Sequence, residues 1–128
     1  MEWLETVLKN NPHQWTIAFF HHPLYSATTK RDYPERRKRW KPLFDKYGVD
    51  LALQGHDHAY ARGSETLYEQ NLITGTNVKD ATGTVYVVSV SGPKHYDAKP
   101  SWDEYEPTRH MAGENKQLFQ VISVDGNT

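Results

Sequence analysis

A chain of 128 residues, 37% hydrophobic and 24% charged, is long enough to bury a core and too apolar for a disordered segment. Its net charge of −1 offers no general attraction to nucleic acid or an anionic membrane, and no apolar run reaches the roughly 18 residues that span a bilayer. With no cysteine there is neither a disulfide framework nor a thiolate metal site, so a bound metal would have to use histidine nitrogen and carboxylate or amide oxygen.

The pattern is that of one domain over residues 1–128, without internal repeats. Met1-Glu2-Trp3-Leu4 lacks the basic start and apolar block of a signal peptide. Leu4 with Leu8, and Trp3 with Val7, fall at i, i+4 spacing and predict a helix that Asn10-Asn11-Pro12 ends. Residues 15–20, Trp-Thr-Ile-Ala-Phe-Phe, are nearly continuous apolar chain and predict a strand buried on both faces. A loop over 21–31 leads to a second helix. Asp32 is its expected cap, Glu35 completes a capping box, and Trp40, Leu43, Phe44 and Tyr47 form the buried stripe. Gly48 stands where a left-handed C-terminal cap belongs.

Residues 49–53 predict a second buried strand, which completes a βαβ unit. Beyond Gly55 the signals weaken: 65–68 and 71–73 are faint strand candidates, followed by a turn at 75–77. Residues 84–90 predict a strong strand, 117–124 another, and 92–115 a long loop. The fold class expected is therefore α/β, a βαβ unit followed by further strands.

Seven histidines decide where chemistry is sought. His21 directly follows the first predicted strand, and His56 and His58 directly follow the second in Gln54-Gly55-His56-Asp57-His58. Residues i and i+2 of extended chain point to one side, so both imidazoles of the second motif can face one point. Sites of open α/β sheets gather beyond the carboxyl ends of strands, and neighbouring strands lie about 5 Å apart. All three rings are therefore expected to converge, and imidazole suits zinc, iron and similar metals.

Extended chain would turn His22 away from His21, into a supporting or surface role. As the histidine beside a ligand, it is also a candidate acid. Asp57 is expected to point away from the ligands into solvent or loop structure, and Tyr60 and Arg62 to buttress the loop. His13, His95 and His110 read as surface or loop residues, with His95 a candidate for the rim of the site because it follows a strong strand. Most of the basic cluster on the second helix reads as a solvated face, whereas Lys30 and Arg31 sit in the loop beyond the first ligand, where a phosphate could be met.

Ala18-Phe19-Phe20-His21-His22-Pro23-Leu24-Tyr25-Ser26 resembles the strand-to-histidine segment of the calcineurin-like metallophosphoesterases, particularly the purple acid phosphatases. Gly55-His56-Asp57-His58-Ala59-Tyr60-Ala61-Arg62 resembles their glycine–histidine–any–histidine motif. Glu2-Trp3-Leu4-Glu5 resembles the helix before the first segment, and Gly83-Thr84-Val85-Tyr86-Val87-Val88 the strand after the second.

The resemblance implies the C-terminal half of a four-layer α/β sandwich with a dinuclear centre. It assigns His21 and His56 to one ion and His58 to the other, with iron beside zinc, manganese or a second iron. The two ions clamp a phosphoester and activate water for in-line attack. The family's aspartate, bridging aspartate and Asn-His motifs precede this region and have no counterpart in the 128 residues. At most one weak site is therefore expected in this chain alone, and the missing N-terminal half becomes the implied partner. Lys30 and Arg31 stand nine and ten positions after His21, where purple acid phosphatases carry histidines that bind phosphate or protonate the leaving group. They suit phosphate but not proton donation, which leaves His22 as the remaining candidate for that step.

The function implied is phosphoester hydrolysis, with an extracytoplasmic location, periplasmic or secreted. The alternatives are a phosphodiesterase of the same superfamily and a non-catalytic module that keeps the fold.

Overall fold

The computed structural model describes residues 1–31, 33–64, 83–98 and 116–126, together with the backbone of residues 108–112. Helix α1 (Glu2–Lys9) carries Glu2 and Glu5 in its first turn and Lys9 in its last, charges that suit the helix dipole. Helix α2 (Pro34–Tyr47) opens with proline, whose missing N–H costs nothing in a first turn. It closes as expected at Gly48, in the left-handed region with φ 62°, and the Val49 N–H returns to Phe44 O at 3.0 Å. The expected cap Asp32 lies outside the described residues. Tyr33 stands at the N-cap and makes no side-chain cap bond, and Glu35 pairs with Lys38 at 2.8 Å instead of closing a capping box.

The strands are β1 (Ile17–Phe20), β2 (Leu51–Gln54), β3 (Tyr60–Gly63), β4 (Val85–Val88) and β5 (Thr108–Ala112), in the spatial order β1-β2-β4-β3-β5. β1, β2 and β4 are parallel, with Phe20, Gln54 and Val88 level in the register. Three carboxyl ends therefore finish side by side. β3 runs antiparallel to both β4 and β5.

Alternation along the parallel strands separates two faces. Ala18, Phe20, Ala52, Tyr86 and Val88 join the main core with Leu24, Tyr25 and Phe44 beneath α2. Phe20 meets Trp40 edge-on at 5.2 Å. The other face bears Leu51, Leu53, Val85 and Val87, partly covered by Leu118. On β1 this face is open, with Ile17 46% and Phe19 83% exposed. The expectation that β1 is buried on both sides is thus corrected: it is an edge strand, and no described segment covers it.

Four further differences concern the elements. Residues 15–16 and 49–50 lie outside the strands, where Asp50 Oδ2 accepts from Thr16 N at 2.7 Å and Asp50 O accepts from Val85 N at 2.9 Å. β3 arises from a motif read as loop buttress, and β5 from a stretch read as long loop; each supplies the other's ladder. Residues 117–124 form no strand: Leu118 N donates to Val90 O at 2.9 Å, but no ladder continues among the described residues, and Phe119 and Val121 stand exposed. The faint strand candidates at 65–68 and 71–73 and the turn at 75–77 lie outside the described residues.

α1 and α2 meet through Glu5, whose carboxylate accepts from Lys46 Nζ at 2.8 Å and Tyr47 OH at 2.9 Å. These bonds lower the Glu5 pKa, with Lys46 the larger cause.

Candidate metal centre

The site is built where β1 and β2 end. The Gly55 N–H donates to Phe20 O at 3.1 Å and to His21 O at 3.0 Å, which ties the two exits together. A Cβ on Gly55 would stand 3.2 Å from both His21 Nδ1 and His21 O, so this approach suits glycine. His56 then takes a left-handed φ of 67°, which a non-glycine residue adopts rarely.

That turn swings the His56 ring over β1, with its Nδ1 3.3 Å from His21 Nε2. His22, expected to face away, does not: its ring centroid is 4.9 Å from those of both His21 and His56. One ligand atom from each of the three rings lies within 4.8 Å of the others. The donor set fits a borderline cation that prefers imidazole, and the three rings are partly open to solvent. His56 has a lowered pKa, chiefly through burial and then through Arg31, His22 and His21, with Asp57 opposing. His22 is lowered by burial, then by His21 and Arg36. Both shifts favour the neutral ring that ligates a metal.

His58 lies outside this trio. Its Nδ1 is 2.9 Å from Lys94 O and its ring packs edge-on against Tyr96 at 5.0 Å. The expectation of one convergence point therefore resolves into two places, His21 with His56 in one and His58 in the other. Lys30 is exposed in the loop, with a φ of 63°. Arg31 donates from Nη2 to His56 O at 2.5 Å and stacks its guanidinium 4.9 Å over Tyr96.

Asp57 points away from the ligands as expected, and of the two outcomes, solvent or loop structure, it takes the second: its side chain is fully buried. Oδ2 accepts from Ser26 Oγ at 2.5 Å and Thr28 N at 2.9 Å, and Oδ1 accepts from Thr28 Oγ1 at 2.6 Å and His58 N at 2.9 Å. Arg31 Nε completes the ring of partners at 3.5 Å, an ion-pair separation. Gln54, the last residue of β2, holds the other loop: its Oε1 accepts from the Leu24 N–H at 2.7 Å and the Tyr25 N–H at 3.2 Å. Sequence reading missed both sets of partners. The one available signal was a short acidic side chain in a tight turn, a type that captures nearby N–H groups.

Arg62 donates to Tyr60 OH at 3.0 Å, both buried in β3. His13 is exposed near α1, His95 is half-buried in the segment after β4, and His110 stands opposite Arg62 in the ladder. None of the three belongs to the trio.

Residues 1–60, which hold all three motif histidines, match the family model of the calcineurin-like phosphoesterases. The chain resembles that family over this stretch. Among its relatives, purple acid phosphatase 17 of Arabidopsis thaliana is 32% identical over 101 residues, 75% of this chain and 30% of that protein. An uncharacterized protein of Mycobacterium tuberculosis is 30% identical over 105 residues, 70% of this chain and 20% of that protein. A purple acid phosphatase from yellow lupin (Lupinus luteus) seeds shares the fold, with a TM-score of 0.60 at 22% identity over 88% of this chain and 22% of the lupin chain. The chain thus spans 20% to 30% of the length of these two curated relatives. Among the described residues, no helix is long and apolar enough to cross a membrane.

Proposed function

We propose that this chain supplies the histidine side of a dinuclear metal centre in a phosphoester hydrolase of the purple acid phosphatase kind, and is catalytically incomplete alone. One observation carries the reading. The parallel register of β1 and β2 sets His21 Nε2 and His56 Nδ1 3.3 Å apart at the carboxyl ends of two strands. His21 and His56 would hold one ion and His58 the other, with iron beside zinc, manganese or a second iron as the metals. Such ions supply Lewis acidity toward phosphoryl oxygen and a lower pKa for bound water.

This chain's own groups complete part of the task. Lys30 and Arg31 are proposed to meet the phosphate from the loop above His21. His22, the histidine beside the ligand His21, is the remaining candidate for the leaving-group proton. Closely spaced cations need carboxylate compensation, and the one metal-holding cluster among the described residues contains imidazoles alone. The proposed partner is therefore the N-terminal half of the same domain, with its bridging aspartate. A phosphomonoester is the proposed substrate, and an extracytoplasmic location is proposed with it, on resemblance to the purple acid phosphatases. The all-imidazole donor set also favours, second, a non-catalytic module.

The test is a zinc titration followed by NMR, with an aryl phosphate assay beside it. Imidazole signals of His21, His56 and His58 are expected to move while turnover stays at background. Robust turnover abolished by His56→Ala would refute the incompleteness. Unmoved histidine signals would refute the ligand assignment.

A further inference from the structure

We infer that Asp57 is a positioning residue for the metal-ligand loop, acting with Arg31 to hold His56 in its left-handed backbone state; the inference rests on His56 being a ligand. A histidine at φ 67° stays there when its surroundings impose it. Here they do so from both sides of the residue. On the carboxyl side Asp57 is locked to Ser26 and Thr28 of the preceding loop, and it also accepts from His58 N. At the carbonyl, Arg31 Nη2 donates to His56 O while its Nε faces Asp57. Gly55, tied to Phe20 O and His21 O, fixes the amino side.

The chemistry calls for a carboxylate in particular. Each Asp57 oxygen accepts two hydrogen bonds, Oδ2 from Ser26 and Thr28 N, Oδ1 from Thr28 Oγ1 and His58 N. Asparagine has one acceptor oxygen, so either orientation of its amide points an N–H₂ at two donors. Asp57→Asn keeps the shape and breaks one half of the clamp. Outer partners of ligands commonly change metal affinity by about 10- to 100-fold when altered.

The experiment titrates the intact chain with zinc alone, measuring affinity calorimetrically and the His56 amide and Cα shifts by NMR at a temperature where all variants are folded. Asp57→Asn is expected to weaken zinc binding about tenfold or more and to move the His56 shifts out of the left-handed range, with the β-sheet resonances unchanged. Thr28→Val removes one hydrogen bond to Oδ1 and is expected to weaken binding a few-fold; it decides the matter if Asp57→Asn does not fold. Thr84→Val is the control. It loses an equally buried bond, to Val49 O at 2.7 Å, at the far end of the sheet, and zinc binding is expected to stay as in the parent chain. Weakening by His56→Ala with none by Asp57→Asn or Thr28→Val overturns this inference and leaves the ligand assignment standing. No weakening by His56→Ala overturns both.

Discussion

Gly55 is the narrowest point of the site. Its backbone lies against His21 so closely that a methyl group would meet the His21 carbonyl and ring at 3.2 Å. The carbonyl cannot retreat without losing its bond from the Gly55 N–H. Gly55→Ala is therefore expected to spread β1 from β2 at their ends and draw His21 away from His56. Zinc affinity should fall roughly tenfold, as for other losses of ligand positioning, while circular dichroism keeps its helix and sheet signals. An unchanged affinity would mean that the two rings are not held by this contact. The same backbone explains what the residues alone reveal about the site. The meeting of His21 and His56 is legible because strand ends and spacing announce it, whereas His58 stands apart from them. The facing of His22 is not, because the alternation that predicts it holds for extended chain, and residues 21 and 22 already lie in a bend after β1.

Gln54 shows how a strand end organises a loop. It closes β2 in register with Phe20 and Val88, and turns its amide toward the segment after His21. There it accepts the Leu24 and Tyr25 N–H groups and donates to Tyr25 O at 3.2 Å. These groups are buried, and a buried donor left without an acceptor costs about 1–3 kcal/mol. Gln54→Leu is expected to lower the unfolding free energy by about 2 kcal/mol or more, read from urea denaturation, and to loosen the loop bearing Ser26 and Thr28. A loss below about 0.5 kcal/mol would mean that water replaces the amide, as at an exposed site. α1, β1, α2, β2 and β4 were legible as elements because each combines a period with a stop signal. β3 and β5 were not: four residues of Tyr-Ala-Arg-Gly and five of Thr-Arg-His-Met-Ala have little period of their own, and pairing with each other makes them strands. The reverse holds for 117–124, whose alternation reads as a strand but which forms no ladder among the described residues.

At the scale of the molecule, the sheet is covered on one face and, among the described residues, left open at β1 on the other. α2 and the loop from Pro23 to Thr28 cover the first face, while Ile17 and Phe19 lie bare on the second, along an edge strand with a free side. An apolar face beside an unpaired edge is a surface for association. The N-terminal half proposed above would cover it. Without the cover, the same physics acts between copies. The isolated chain is expected to self-associate at high concentration, which sedimentation velocity would follow. Phe19→Lys with Ile17→Lys should keep it monomeric, because two charges on the edge strand oppose both burial and strand pairing. The fold itself should hardly change, since the Phe19 side chain is 83% exposed and adds little to the core. If both proteins sediment alike as monomers, the open face is tolerated by water, and the case for a covering half must rest on the missing carboxylates alone.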